Sequence, residues 1–293
     1  MGTDLEQQPA TADTTPAPAT STDANALPGD GIDPARMPGH WLLARLGKRV
    51  LRPGGLTLTR FLLDSLAVRS SDDVVEFAPG LGVTTRLLLA HSPASYTAVE
   101  RDKVAAGRLG RLLRPPDQRC LLGTAEATGL PSDCASVVIG EAMLTMQREE
   151  QKQRIVAEAH RLLRDGGRYG IHELCLVPDS LAEQVKDEIR RELTQTIHVG
   201  ARPLTPSEWK ELLARAGFEV TREAVSPMRL LDPLQFVRDE GVRGTARFLV
   251  NVTRDREARH RVLAMHRLFR RHRERLGAIA LTAIRRDGPV AGG

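Results

Sequence analysis

Four side chains carry the first chemical signal: Glu76, Gly80, Gly82 and Glu100. In the run Glu76-Phe77-Ala78-Pro79-Gly80-Leu81-Gly82, the glycines allow a sharp turn and let a ligand lie against the main chain with no Cβ in the way. Glu100 ends a second β-like run, Tyr96-Thr97-Ala98-Val99-Glu100. A carboxylate at the tip of a second strand can accept from both hydroxyls of a ribose, so the pair of features points to an adenosine-containing ligand. A pyrophosphate would need a third small residue at position 85, where the helix packs beneath it. Position 85 is threonine.

The elements that must position these residues alternate between strand and helix patterns. Val74 and Val75 lead a strand into the glycine turn, and Thr85-Arg86-Leu87-Leu88-Leu89-Ala90 opens a helix. Helical spacing over 103–113 ends at Pro115-Pro116, and 119–123 reads as a third strand. Residues 136–140 are almost continuously apolar, as a strand buried on both faces should be. A long helix over 147–163 stops at Arg164-Asp165-Gly166-Gly167, with a fifth strand over 169–174. Thr205-Pro206-Ser207-Glu208 is a capping box that launches a helix closed by Gly217. Strands over 218–225 and 276–284 complete the series. Upstream, two helices over 37–50 and 57–67 flank the breaker Arg52-Pro53-Gly54-Gly55.

With the glycine turn and the phrase Leu162-Leu163-Arg164-Asp165-Gly166-Gly167 before a strand, the chain resembles the class I S-adenosylmethionine-dependent methyltransferases. Within them it resembles the small-molecule type, the menaquinone/ubiquinone-biosynthesis-like methyltransferase superfamily. Glu76, Gly80 and Gly82 match the first motif, Glu/Asp-x-Gly-x-Gly-x-Gly, with Ala78 in place of its first glycine; Asp165 replaces the proline of the Leu-x-Pro-Gly-Gly element. The resemblance implies an α/β fold. It implies a doubly wound seven-stranded sheet with its last strand antiparallel, and helical insertions at 176–203 and 227–275 after strands five and six. It further implies S-adenosylmethionine as cofactor, held by Glu76, Ala78, Pro79, Gly80, Gly82, Glu100, Arg101, Thr124, Ala125 and Glu141. Thr124 stands where the family usually has an aspartate that accepts from the adenine amino group, and Glu126 is an alternative acceptor. In such enzymes the N-terminal helices lie across the cleft, which brings Gly39, His40 and Trp41 into consideration. Plain packing for Trp41 and a surface place for His40 is the competing reading.

Composition bounds the rest. The 293 residues are 41% hydrophobic and can bury one catalytic core. Residues 1–33 lack basic and almost all large apolar side chains, which predicts a disordered acidic tail before a domain over 34–293. No stretch approaches a membrane span or a secretory signal, so a cytoplasmic protein is expected. Cys120, Cys134 and Cys175 have no metal-ligand spacing and read as buried small hydrophobes. The net charge of +5 leaves an anionic partner open, although only 3% of residues are aromatic, a poor supply for stacking on bases. Much of the basic charge lies in an amphipathic helix over 256–275, with Ala258, Val262, Met265 and Phe269 as its stripe. This reads either as a solvated face or as an anion-recognition surface.

The acceptor expected from the resemblance is a small molecule. The fourth strand ends in Glu141-Ala142-Met143 and carries neither the Asn/Asp-Pro-Pro-aromatic nor the Pro-Cys motif of base methylation, so nucleic acid is disfavoured. If the acceptor needs a base, His172 is the first candidate, with Glu141 and Glu173 behind it. Strand alternation sends His172 and Glu173 to opposite faces. The insertions should emerge on the cofactor side and shape the acceptor pocket, and their basic residues suggest an acceptor with an anionic group. Two other readings stand: a nicotinamide-dependent oxidoreductase or epimerase, disfavoured by Thr85 and by the lack of a Tyr-x-x-x-Lys pair after strand four, and a non-catalytic nucleic-acid-binding protein on the same fold.

Overall fold

The computed structural model describes residues 27–286. Seven strands form one sheet in the order β3-β2-β1-β4-β5-β7-β6. They are β1 (Asp73–Phe77), β2 (Ser95–Glu100), β3 (Gln118–Leu122), β4 (Ala135–Glu141), β5 (Leu163–Leu176), β6 (Phe218–Pro227) and β7 (Leu276–Arg285). β1 to β5 run parallel, and β7 lies antiparallel between β5 and β6. The strand order reverses at the β1/β4 pair. In a doubly wound sheet, ligands bind beyond the carboxyl ends of the strands at that reversal.

The sheet is central because its strands are apolar on both faces. On one side β1, β4, β5 and β7 pack against α5 (Glu149–Leu162) and α7 (Pro206–Arg215), through Ile155, Val156, Ala159, Trp209 and Leu213. On the other, α2 (Gly55–Leu66) and α3 (Val83–Leu89) contribute Leu58, Leu62, Leu66 and Leu88. Gly170 keeps α2 close, since a Cβ there would stand 2.8 Å from Leu66. α4 (Lys103–Gly110) covers β2 and β3, capped by the Asp102 side chain.

A third cluster lies beyond the strand ends and is made by the insertions. α6 (Glu183–Ile197) follows β5, while α8 (Pro233–Arg254) and α9 (Arg256–Arg271) separate β6 from β7. With α1 (Gly39–Arg45) they bury Leu42, Ile189, Leu193, Phe236, Phe248 and Met265.

The structure departs from the sequence reading in several places. α5 stops at Leu162, one residue early, because Leu163 turns extended (φ −75°, ψ 142°) and pairs with Ala135; Gly166 (φ +69°) lies inside β5 and not past a helix end. The structured chain starts before Pro34: Pro28 is buried and Gly29 lies against Trp41 and Met37. The remainder of the expected tail, residues 1–26, lies outside the described residues. α8 bends at Gly241, whose φ of 71° and ψ of 170° suit glycine alone.

Candidate active site

The loop after β1 is wound from left-handed residues: Ala78 (φ 48°), Gly80 (φ 57°) and Gly82 (φ 71°). Its conformation is held from β2. Glu100 accepts the Gly80 N–H at 3.0 Å on one oxygen and the Asp102 N–H at 2.9 Å on the other. Burial pushes the Glu100 carboxyl up, against the pull of these backbone donors.

A cavity of about 500 Å³ opens over this loop, within the roughly 300–1,000 Å³ usual for small-molecule sites. One end is polar and is lined by Ala78, Pro79, Gly80, Glu100, Arg101 and Asp102, with Glu141 and Ala142 from the end of β4. His40 and Trp41 of α1 wall it, so both approach the site. Desolvation, then the Arg101 charge, lowers the His40 pKa to about 4 and keeps it neutral. The other end is apolar. Leu43 and Leu51, Leu193 and Ile197 of α6, and Met265 and Phe269 of α9 line it.

Not every expected site residue reaches the cavity. Glu76 is buried beneath the loop, where it accepts from Thr85 Oγ1 at 2.8 Å and from the Tyr96 hydroxyl; burial raises its pKa to about 7. It fastens β1 to β2 and α3. Gly82 begins α3 and lets Leu109 and Leu112 pack close, 2.9 Å from a Cβ placed there. Thr124 is exposed in a bridge to Ala127, and Ala125 belongs to the core cluster of α5 and α7. Neither lines the cavity, and Glu126 is engaged by Gln151 and Arg154.

The candidate base is placed otherwise than expected. His172 is fully buried, its Nδ1 2.8 Å from Glu141 Oε1 and its Nε2 accepting the Gly54 N–H at 3.1 Å. With Nε2 accepting, the hydrogen lies on Nδ1 and is given to Glu141. Both nitrogens are used, and neither faces the cavity. Glu173 points to the opposite face, as alternation requires, and accepts from the backbone of Met143, Leu144 and Thr145 and from the Thr145 hydroxyl. It caps the single 3-10 turn Leu144–Met146.

Arg52 is the functional residue that sequence reasoning missed. Its guanidinium lines the cavity, lies 2.5 Å from Glu141 Oε2 and also donates to Thr84. Glu141 takes a further hydrogen bond from Thr59 at 2.7 Å. Against burial, which would raise it, the Arg52 charge and the His172 hydrogen bond hold the Glu141 pKa at about 2. A permanently ionised carboxylate is no base at neutral pH. The segment Arg52-Pro53-Gly54-Gly55 reads as a helix breaker by composition; only its contacts with β4 and β5, 89 and 118 residues away, show the second role.

Comparison with known proteins agrees with this geometry. A family model described as a methyltransferase domain matches residues 75–171. An uncharacterised protein of Haemophilus influenzae is 30% identical over 247 residues, covering 83% of this chain and 96% of its own. The chain belongs to the class I S-adenosylmethionine-dependent methyltransferases. Its fold is shared with the cyclopropane synthase MmaA2 from Mycobacterium tuberculosis (TM-score 0.58, 17% identity, 78% of this chain and 84% of that one). It is shared equally with a geranyl diphosphate methyltransferase in complex with SAM (TM-score 0.58, 15% identity, 78% and 84%). This methyltransferase uses S-adenosylmethionine, and the nicotinamide reading falls with the family assignment. Its polar cavity end fits the cofactor: a glycine loop and, beside it, a carboxylate that lines the cavity.

Proposed function

We propose that this methyltransferase acts on a small molecule with a largely apolar body. The observation that carries the reading is the single cavity that runs from the Gly80–Glu100 rim to an end lined by Leu193, Ile197, Met228, Leu230, Met265 and Phe269. All six belong to the two insertions expected to shape the acceptor side. An anionic acceptor is not supported by this arrangement, since α9 turns Met265 and Phe269 to the cavity and its arginines elsewhere.

In this reading Glu100 holds the ribose diol, and the main chain of Ala78–Leu81 with Arg101 and Asp102 frames the rest of the cofactor. S-adenosylmethionine supplies an electrophilic methyl group and its own leaving group. The protein then has to align the acceptor and exclude water. His40 and Trp41 cover the cofactor end, and the apolar wall excludes water from the other. His172 and Glu141 are locked to each other, to Gly54 and to Arg52, so neither serves as a base at the cavity, and an acceptor with a nucleophilic atom already available suits the site.

The test is incubation with S-adenosylmethionine and fractionated lipophilic and water-soluble extracts, with mass detection of a product heavier by one methylene. Products confined to the polar, highly charged fraction would overturn the apolar acceptor.

A further inference from the structure

Beyond its bend, the outward face of α8 is apolar where a surface helix is ordinarily polar. Val242, Ala246, Leu249 and Val250 fall at i, i+4, i+7 and i+8, one stripe of a helix, and all are exposed: Val242 by 76%, Leu249 by 56% and Val250 by 45%. The opposite face is accounted for, because Phe248 and Val252 are buried against the insertion core. Arg243, Arg247 and Arg254 flank the stripe and are exposed, and residues 242–254 contain no aspartate or glutamate. Across residues 233–271, α8 and α9 with Asp255 between them, there are ten arginines against four acidic residues. Three of those four acids are occupied inside the molecule. Asp239 accepts from the Leu56 N–H, Glu240 from Arg49 and Val50, and Asp255 from Ala258. The outward charge of this insertion is therefore strongly positive.

We propose that this face of α8 docks on an anionic lipid bilayer. Aliphatic side chains at helical spacing can enter the boundary between headgroups and acyl chains, while arginines beside them reach anionic headgroups. The same face suits other occupants less well. Nucleic acid would be met by stacking aromatics, and the stripe has none. A second copy of the chain, apposed through the same stripe, would bring the flanking arginines against each other, and like charges at an interface are unfavourable. The insertion that carries this face also lines the apolar end of the cavity, through Met228 and Leu230 just before α8 and Met265 and Phe269 on α9. Docking through it would hold that end near the phase in which an apolar acceptor dissolves. The docking itself does not depend on methyl transfer.

The experiment is flotation of the full chain with vesicles of phosphatidylcholine alone and of phosphatidylcholine mixed with phosphatidylglycerol, at low and high salt. The chain should float with the mixed vesicles at low salt and at least about tenfold less with neutral ones. Joint replacement Arg243→Gln, Arg247→Gln and Arg254→Gln should weaken binding by at least about tenfold. Val242→Gln with Leu249→Gln, which leaves the charge unchanged, should weaken it several-fold. All five positions are exposed, so unchanged melting temperature and unchanged stabilisation by S-adenosylhomocysteine establish that each variant is folded. No flotation of the full chain, or flotation indifferent to either set of substitutions, overturns the proposal. So does light scattering that shows a dimer dissolved by Leu249→Gln, which would make the stripe a self-interface.

Discussion

At the residue scale, the site combines strain, buried charge and one carboxylate, Glu100, that lines the cavity. Ala78 and Ala142 both hold left-handed backbone (φ 48° and 52°) at the ends of β1 and β4. Ala78→Gly should raise stability by about 1 kcal/mol in denaturant titration, by relieving that strain. Glu100→Gln should weaken S-adenosylhomocysteine binding by roughly 1.5–3 kcal/mol in calorimetry, the cost of losing a charged acceptor. Unchanged affinity would place the ribose elsewhere. Two buried carboxylates act on stability with opposite signs. Glu141 is depressed from 4.5 to about 2, so its contribution is whole above pH 4.5 and is lost as pH falls toward 2. Glu76 is raised from 4.5 to about 7, so its protonated native form favours folding below pH 4.5 and that advantage disappears as pH rises to 7. Glu76 therefore contributes a fall in stability between pH 4.5 and 7, opposed by the rise that His40, lowered to about 4, contributes up to pH 6.5, and Glu76→Gln should remove the falling part of the melting-temperature profile. A slope identical to the native chain's would show that Glu76 titrates normally.

At the scale of elements, most starts and stops follow from local chemistry. The Thr205–Glu208 capping box forms as its spacing requires, with Pro206 in the first turn, and Asp102, Asp232 and Asp255 each cap a helix. The exceptions have distant causes. Leu163 leaves helical geometry to pair with Ala135, a partner nearly thirty residues away that no local pattern reveals. α8 bends at Gly241, just after Asp239 and Glu240, which accept from the backbone of Leu56, Arg49 and Val50. No atom lies within 4 Å of a Cβ at Gly241, so Gly241→Ala should act through backbone strain alone. A loss of about 1–3 kcal/mol in stability is expected. A neutral result would mean that the bend straightens without cost.

At the scale of the whole molecule, the β1/β4 reversal of the sheet decides where the cavity lies, and the insertions decide what it can admit. Leu230 lines the apolar end and is only partly buried, so a larger side chain there can be accommodated by filling the cavity. Leu230→Trp should leave S-adenosylhomocysteine affinity nearly intact while lowering turnover at least tenfold, an effect of blocked space. Equal loss of both would mean that cofactor and acceptor do not divide the cavity in this way.

The sequence by itself determined the class of fold, the seven strands in order, the glycine turn after β1 and the place of Glu100 at the end of β2. These rest on short-range features: strand periodicity, glycines at a turn and capping residues, all readable within a dozen positions. Tertiary structure alone decided the roles of the charged residues. Glu76 and Gly82 match a family motif, yet lie under the loop because Tyr96, Thr85, Leu109 and Leu112 converge on them. His172 has the chemistry of a base, but Gly54 and Glu141 take both its nitrogens. Arg52 looked like punctuation until β4 brought Glu141 beside it. The basic residues of α9 suggested an anionic acceptor, yet the helix turns its apolar stripe to the cavity. Which partner meets a side chain, and which face of a helix meets a cavity, are set by contacts between residues far apart in the chain, and local pattern carries no record of them.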